Sequence, residues 1–241
     1  MEKREKLYEG KAKVLFATDD PDLVIQYFKD DATAFNGEKK GTIADKGVVN
    51  NLMSCRLMQL LQRVGLPNHF VKPLGGREQL VRRVEIVPVE VVVRNYSAGS
   101  LVRRLGRPEG EQLARPLVEF YYKSDALGDP LVTVDHIELF GWAEDDELEQ
   151  IVETTHRIND VLLTVFAQID IQLVDYKLEF GRLTADRGVI VLADEISPDT
   201  CRLWDIHTGQ KLDKDRFRLD LGGAAEAYQE VARRMGLAVE R

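Results

Sequence analysis

The chain has 241 residues and a net charge of −8, with 44% hydrophobic and 31% charged residues. That composition is too apolar for disorder, and its length suits one large domain or two small lobes sharing a cleft. The acidic balance argues against broad binding to nucleic acid or anionic membranes, while allowing a local basic pocket. LYEGKAKVLFAT reads as a strand, a tight turn at Glu9-Gly10-Lys11 and a second strand; DLVIQYFK reads as a third. The polar stretch 30–46 is long enough for a functional loop. Val49, Leu52, Met53, Leu57, Leu60, Leu61 and Val64 recur at helical spacing, and Gly65 with Pro67 ends that helix. HFVKPL, EQLVRRVE and VPVEVVVRN read as strands, so a β-rich first lobe is expected over 1–86 and a second lobe over 87–241. After YSAGSLVRRLG comes a long helix at about 145–168, with Leu148, Ile151, Val152, Thr155, Ile158, Val161, Leu162 and Val165 on one stripe. Two apolar runs around the turn TADRG predict a hairpin, and a last helix runs over about 223–235, stopped by Gly236. Strands and helices mix rather than alternate, which favours α+β over a doubly wound parallel sheet.

The hairpin carries the strongest chemical signal. In 173–181, LVDYKLEFG, strand alternation puts Leu173, Asp175, Lys177 and Glu179 on one face and Val174, Tyr176, Leu178 and Phe180 on the other. The return run VIVLADE brings Asp194 near the charged face. Carboxylates around a lysine can hold Mg²⁺ with substrate phosphates; the other reading is an edge strand with a solvated, self-neutralising face. Glu9-Gly10-Lys11-Ala12-Lys13 is either a phosphate-cradling turn or a plain solvated one, and it is no Walker A loop. In RNYSAGS, Ser100 can cap a helix begun at Leu101, and Arg94 with the small-residue loop suits a phosphate; an ordinary strand-to-helix turn fits equally. Arg202, Arg216 and Arg218 can bind an anionic substrate or pair with surface carboxylates. Cys55 and Cys201 stand in no metal-ligand spacing, and the four histidines form no zinc motif. With no apolar run long enough for a bilayer and no signal-peptide core in MEKREKLYEG, a reducing cytoplasm without disulfides is expected, with no membrane and no nucleic-acid partner.

Together these segments resemble the phosphoribosylaminoimidazole-succinocarboxamide synthase, or SAICAR synthetase, family. VPVEVVVRNYSAGS and LVDYKLEFG look like its two signature segments. LYEGKAK, DATAFNGEKK, FYYKSDALGDP, LADEISPDTCRLWD and DKDRFR are similar to its other blocks, in the same order, so the resemblance covers essentially the whole chain. It implies a two-lobe fold akin to ATP-grasp proteins and protein kinases, with ATP in the cleft between a β-rich N-terminal lobe and a mixed C-terminal lobe. It implies a ligase of purine biosynthesis that converts ATP, L-aspartate and carboxyaminoimidazole ribonucleotide to ADP, phosphate and SAICAR through an acyl phosphate.

The resemblance also implies residue roles. Lys11, Ala12 and Lys13 would meet ATP phosphates, Lys123 would meet ATP, and adenine would lie along 81–84, at Val81, Arg82 and Val84. Glu179 and Asp194 would hold Mg²⁺. Lys177 would neutralise the reacting carboxylate or the transferred phosphoryl group, with Asp175 orienting Lys177 or a metal-bound water. Arg94, Ser100 and Arg202 would bind the 5′-phosphate, Arg218 a further anion, and Asp129 the imidazole substrate. Position 36, where some members carry Asp, is Asn36 here and would belong to the substrate site. A homo-oligomer, such as a dimer, is expected. A small-molecule kinase and a nucleotide-binding regulatory module are the rival readings. The second phosphate site weighs against the first, and the metal-type carboxylates weigh against the second.

Overall fold

The computed structural model describes residues 2–34 and 37–239, so Asn36 lies outside the described residues. The chain opens with β1 (Lys6–Glu9), β2 (Lys13–Ala17) and β3 (Leu23–Phe28). The polar stretch that read as a loop contains a hairpin, β4 (Asp31–Ala34) and β5 (Lys39–Thr42), with Thr33 opposite Lys40. Its backbone groups pair across the ladder, which hydrophilic composition does not reveal. Next come α1 (Lys46–Arg63), β6 (Phe70–Gly75) and β7 (Glu78–Arg82). The strands β1-β2-β3-β7-β6 make one antiparallel sheet, whose face at Phe28 meets α1. Gly47 is required there: a Cβ would lie 2.4 Å from the Phe28 carbonyl oxygen.

The second sheet starts with β8 (Val84–Tyr96), so the expected division at residue 86 falls inside a strand. It continues through α2 (Ser100–Leu105), β9 (Gln112–Tyr122), a 3₁₀ turn at Asp125–Leu127, β10 (Leu131–Val132) and α3 (Val134–Leu139). Then follow α4 (Asp145–Ala167), β11 (Ile171–Leu183), β12 (Ile190–Ala193), β13 (Cys201–Asp205), α5 (Asp215–Arg218) and α6 (Ala224–Arg234). The order is β10-β9-β8-β11-β12, with β13 also on β11, all antiparallel. Thus β11 is a central strand, and the edge-strand reading is wrong. A bulge between Leu173 and Asp175 interrupts the alternation, and Leu173 joins the core with Tyr176, Leu178 and Phe180. That core packs under α4 through Leu148, Ile151, Ile158, Leu162 and Phe166. The charged side chains of β11 are left to the opposite face of the sheet.

Candidate active site

A cleft of about 1670 Å³ runs between the two sheets. Every described residue to which the resemblance assigns a role lines it, while Arg216 does not and donates to the backbone carbonyls of Gly222, Lys211 and Leu221. From the first sheet come the β1–β2 turn and the strand junction 81–84. The β8–α2 corner, the 123–129 segment, β11, the 193–202 segment and α5 supply the rest.

At one end, β8–β11 pairing sets Glu90 directly opposite Glu179. Like charges in that position repel, and Lys177 resolves the conflict. Its ammonium donates to Glu90 Oε1 and Glu179 Oε1, each at 2.8 Å, and lies 3.9 Å from Asp194 Oδ2. Lys123 pairs with Glu179 at 2.6 Å. Lys13 donates to Asp194 and lies 3.5 Å from Glu195. Lys11 donates to Asp125 at 2.6 Å. Burial works against the Lys13 and Lys177 ammonium groups, but the surrounding carboxylates overcome it and hold both above the ordinary lysine range. Burial likewise opposes the charge on Glu179, yet Lys177, Lys123 and Lys13 keep its pKa well below the usual carboxylate range. Glu195 differs: burial pushes it up to about 7, against the pull of Lys13, and its Oε2 accepts no hydrogen bond among the described residues.

Asp194 turns the chain out of β12 in the left-handed region, at φ 58°. Burial lowers His69 to about 4, so the ring is neutral and its Nε2–H donates to the Asp194 carbonyl at 3.0 Å. The donor set suits Mg²⁺. Two carboxylates, Glu179 and Asp194, stand among ammonium groups, and among the described residues no group of three or more ligating side chains forms a closed cage. An ion shared between one or two carboxylates and substrate phosphates matches that arrangement.

The other end is built on Asp175. Arg94, only 2% exposed, uses all five of its donors. Nε donates to Glu119 at 2.7 Å; Nη1 to Asp175 at 2.8 Å and the Ala98 carbonyl at 3.4 Å; Nη2 to Ser100 at 2.9 Å and Tyr121 at 3.1 Å. Arg202 donates to Asp215 at 2.7 Å and, through Nη1, to Asp175 at 2.9 Å. Arg218 donates to Asp215 at 2.6 Å. Arg202 Nη2 makes no hydrogen bond among the described residues, and this is the donor edge left for an anion. Asp175 therefore orients the two arginines; it does not touch Lys177, whose partners are Glu90, Glu179 and Asp194. Ser100 is not the helix cap either. Gly99 holds the cap position at φ 57°, and a Cβ there would come within 2.6 Å of the Arg202 guanidinium. The small residues of RNYSAGS serve that close approach. Asp129 fixes its own loop, accepting from Ser124 N–H at 3.0 Å.

Sequence reasoning missed Glu90, His69, Glu195 and Lys46. Glu90 had a signal: in VPVEVVVRN it shares alternation with Arg94. Fully buried Lys46 donates to Asp199 at 2.6 Å, a contact across 153 positions that no local pattern shows.

The chain is similar to known proteins along nearly its whole length. The family model described as SAICAR synthetase matches residues 6–235. A phosphoribosylaminoimidazole-succinocarboxamide synthase of Magnetococcus marinus is 68% identical over 239 residues, covering 99% of each chain. The crystal structure of a synthase of that name from Ehrlichia chaffeensis superposes with a TM-score of 0.96 at 49% identity, covering 98% of this chain and 100% of that one. A SAICAR synthetase in complex with ADP gives 0.93 at 47% identity, with the same coverage. With its two charged ends on one central strand and these full-length likenesses, the chain belongs to the SAICAR synthetase family, ATP-dependent ligases of purine biosynthesis.

Proposed function

We propose that this cleft joins L-aspartate to carboxyaminoimidazole ribonucleotide while ATP is cleaved to ADP and phosphate. The observation that carries the reading is the spacing of the two charged ends on one strand face. Asp175 and Glu179 are four residues apart, roughly 13 Å along an extended strand, with Lys177 midway. A ribonucleotide monophosphate fits that span, its 5′-phosphate at Arg202, Ser100 and Arg218 and its carboxylate near Lys177. Arg94 acts from behind, holding Ser100 and Asp175 in place. ATP phosphates lie at Lys11, Ala12, Lys13 and Lys123, with adenine along 81–84. The similar synthetase in complex with ADP supports nucleotide binding by this fold.

A carboxylate is a poor electrophile. Its oxygen takes the γ-phosphoryl group and ADP leaves; the aspartate amine then attacks the acyl carbon, phosphate leaves, and the nitrogen gives up a proton. Lys177 offsets charge on the carboxylate as the phosphoryl group approaches, and Lys13 and Lys123 offset charge on the phosphates. Mg²⁺, held by Glu179 and Asp194 with the phosphates, would supply Lewis-acid neutralisation of the transferring group. We place the protein in the cytoplasm, with Cys55 and Cys201 as buried free thiols, and expect a homo-oligomer. No described helix is long and apolar enough to cross a membrane.

The test is stoichiometry. Purified protein with Mg²⁺ should release one ADP per SAICAR, and only when all three substrates are present. Steady ADP release without the imidazole nucleotide, and no amide product on adding it, would replace the ligase with a kinase or hydrolase.

A further inference from the structure

The cationic groups at the two ends of the cleft answer to the phosphates and to the imidazole carboxylate. They leave L-aspartate, with two carboxylates of its own, without a recognised partner. One cation in the cleft has no such duty. Lys214 lines it just before α5, with its side chain 12% exposed. Among the described residues its ammonium group donates no hydrogen bond. Its nearest carboxylate oxygen is Asp199 Oδ1 at 4.0 Å, and Asp199 already receives Lys46 Nζ at 2.6 Å and the Tyr228 hydroxyl at 2.5 Å. Burial, together with the nearby charges of Arg218 and Lys46, depresses the Lys214 pKa against the pull of Asp199. An ammonium group so enclosed and so poorly paired is costly until a ligand supplies an anion.

The hairpin β4–β5 brings a second cation to the same region. β4 packs against α5, and Thr33 and Lys40, register partners on the hairpin, both line the cleft. Lys40 is exposed and has no ion-pair partner among the described residues. The anions facing Lys214 are Asp199 and Glu195, and the cations are Arg218 and Lys46. Carboxylates this close disfavour a phosphate dianion. They suit a zwitterion, whose carboxylate meets the lysine while its ammonium group lies toward the acids.

We propose that Lys214, with Lys40 on the facing hairpin, receives the carboxylates of L-aspartate and sets the specificity for a dicarboxylic amino acid. The proposal rests on the ligase reading above.

Steady-state kinetics of Lys214→Met tests it. KM for L-aspartate should rise about 10- to 100-fold, the loss of one charge-assisted contact, with KM for ATP and for the imidazole nucleotide unchanged. Lys214→Arg should recover much of that loss, which a purely structural role would not require. In the wild-type protein, acetylation of Lys214 followed by peptide mass spectrometry should slow when L-aspartate is added to the nucleotide-loaded enzyme. This readout does not depend on a variant folding. An unchanged KM for L-aspartate, an equal rise for either nucleotide, or no protection by L-aspartate would overturn the assignment. Failure of the wild-type protein to make product would instead overturn the ligase reading itself.

Discussion

Asp194 is held by its backbone, by a neutral histidine and by two lysines. Its left-handed conformation is one that Asp and Asn tolerate better than most side chains. The His69 contact reaches its carbonyl rather than its side chain. Asp194→Asn therefore keeps the turn and the histidine bond, and should fold normally. What it removes is one negative charge beside Lys13 and Lys177, and a carboxylate oxygen for a hard cation. We expect kcat to fall by roughly two orders of magnitude with little change in KM for L-aspartate, because the charge acts on the transferring phosphoryl group. Mn²⁺ binding in the presence of ATP, followed by water relaxation, should weaken in parallel. A folded variant with wild-type kcat and unaltered Mn²⁺ binding would remove Asp194 from the metal site. Arg94 teaches the opposite lesson. With every donor committed, its replacement would take one buried partner each from Glu119 and Asp175, so loss of nucleotide binding in such a variant would report on the fold as much as on the phosphate.

Among the elements, α1 is the one on which the others converge. Lys46, Asn50 and Ser54 follow one another at four-residue spacing on its buried side, and Lys46 reaches Asp199 while Tyr228 of α6 donates to the same carboxylate. Around this lock pack Ala32, Ile43, Val49 and Ala232, from the hairpin, its connection to α1, α1 itself and α6. Tyr228→Phe keeps the ring and removes only the hydroxyl. It should cost about 1.5–3 kcal/mol, a fall in Tm of about 3–10 °C for a chain this size, with activity retained below the transition. An unchanged Tm in calorimetry would mean that Lys46 alone satisfies Asp199. None of this pairing was legible in the sequence, because Lys46 ends the polar stretch read as a loop and Tyr228 looks like an ordinary member of an amphipathic helix. What was legible followed periodicity: α4 came from its apolar stripe, and β2, β3, β6, β7, β8 and β11 from their apolar runs. β9 was not read, and Pro116 falls inside it. The structure places Pro116 in the stretch where the β8–β9 register shifts, the position at which a strand tolerates proline. The candidate site was legible as residue types in order. Their partners were not, since Glu90 meets Lys177 only once β8 and β11 lie side by side, and Lys13 meets Asp194 only across the cleft between the two sheets.

At the scale of the whole molecule, the two sheets share one core and several contacts. The large core runs from Met53, Leu57 and Leu61 of α1 through Val87 and Val89 of β8 to Ile158 and Leu162 of α4. The segment before β6 bonds to the far hairpin, with His69 N–H donating to the Leu192 carbonyl at 2.8 Å. The last helix of the chain returns to pack on α1. A fragment of residues 1–86 would keep the five-stranded sheet but lose α6, Asp199 and most of β8. Lys46 would be left without its carboxylate, and the parts of α1 that pack on α6 and on the second sheet's core would face water. A single broken buried ion pair costs about 3–5 kcal/mol, a large share of the 5–15 kcal/mol that holds a typical domain. The fragment should therefore show no cooperative thermal transition by circular dichroism and poor amide dispersion by NMR, while the full chain melts in one step. A dispersed spectrum and a sharp melt from the fragment would show instead that the first sheet and α1 carry their own stability, and that the cleft is a docked interface between two independent domains.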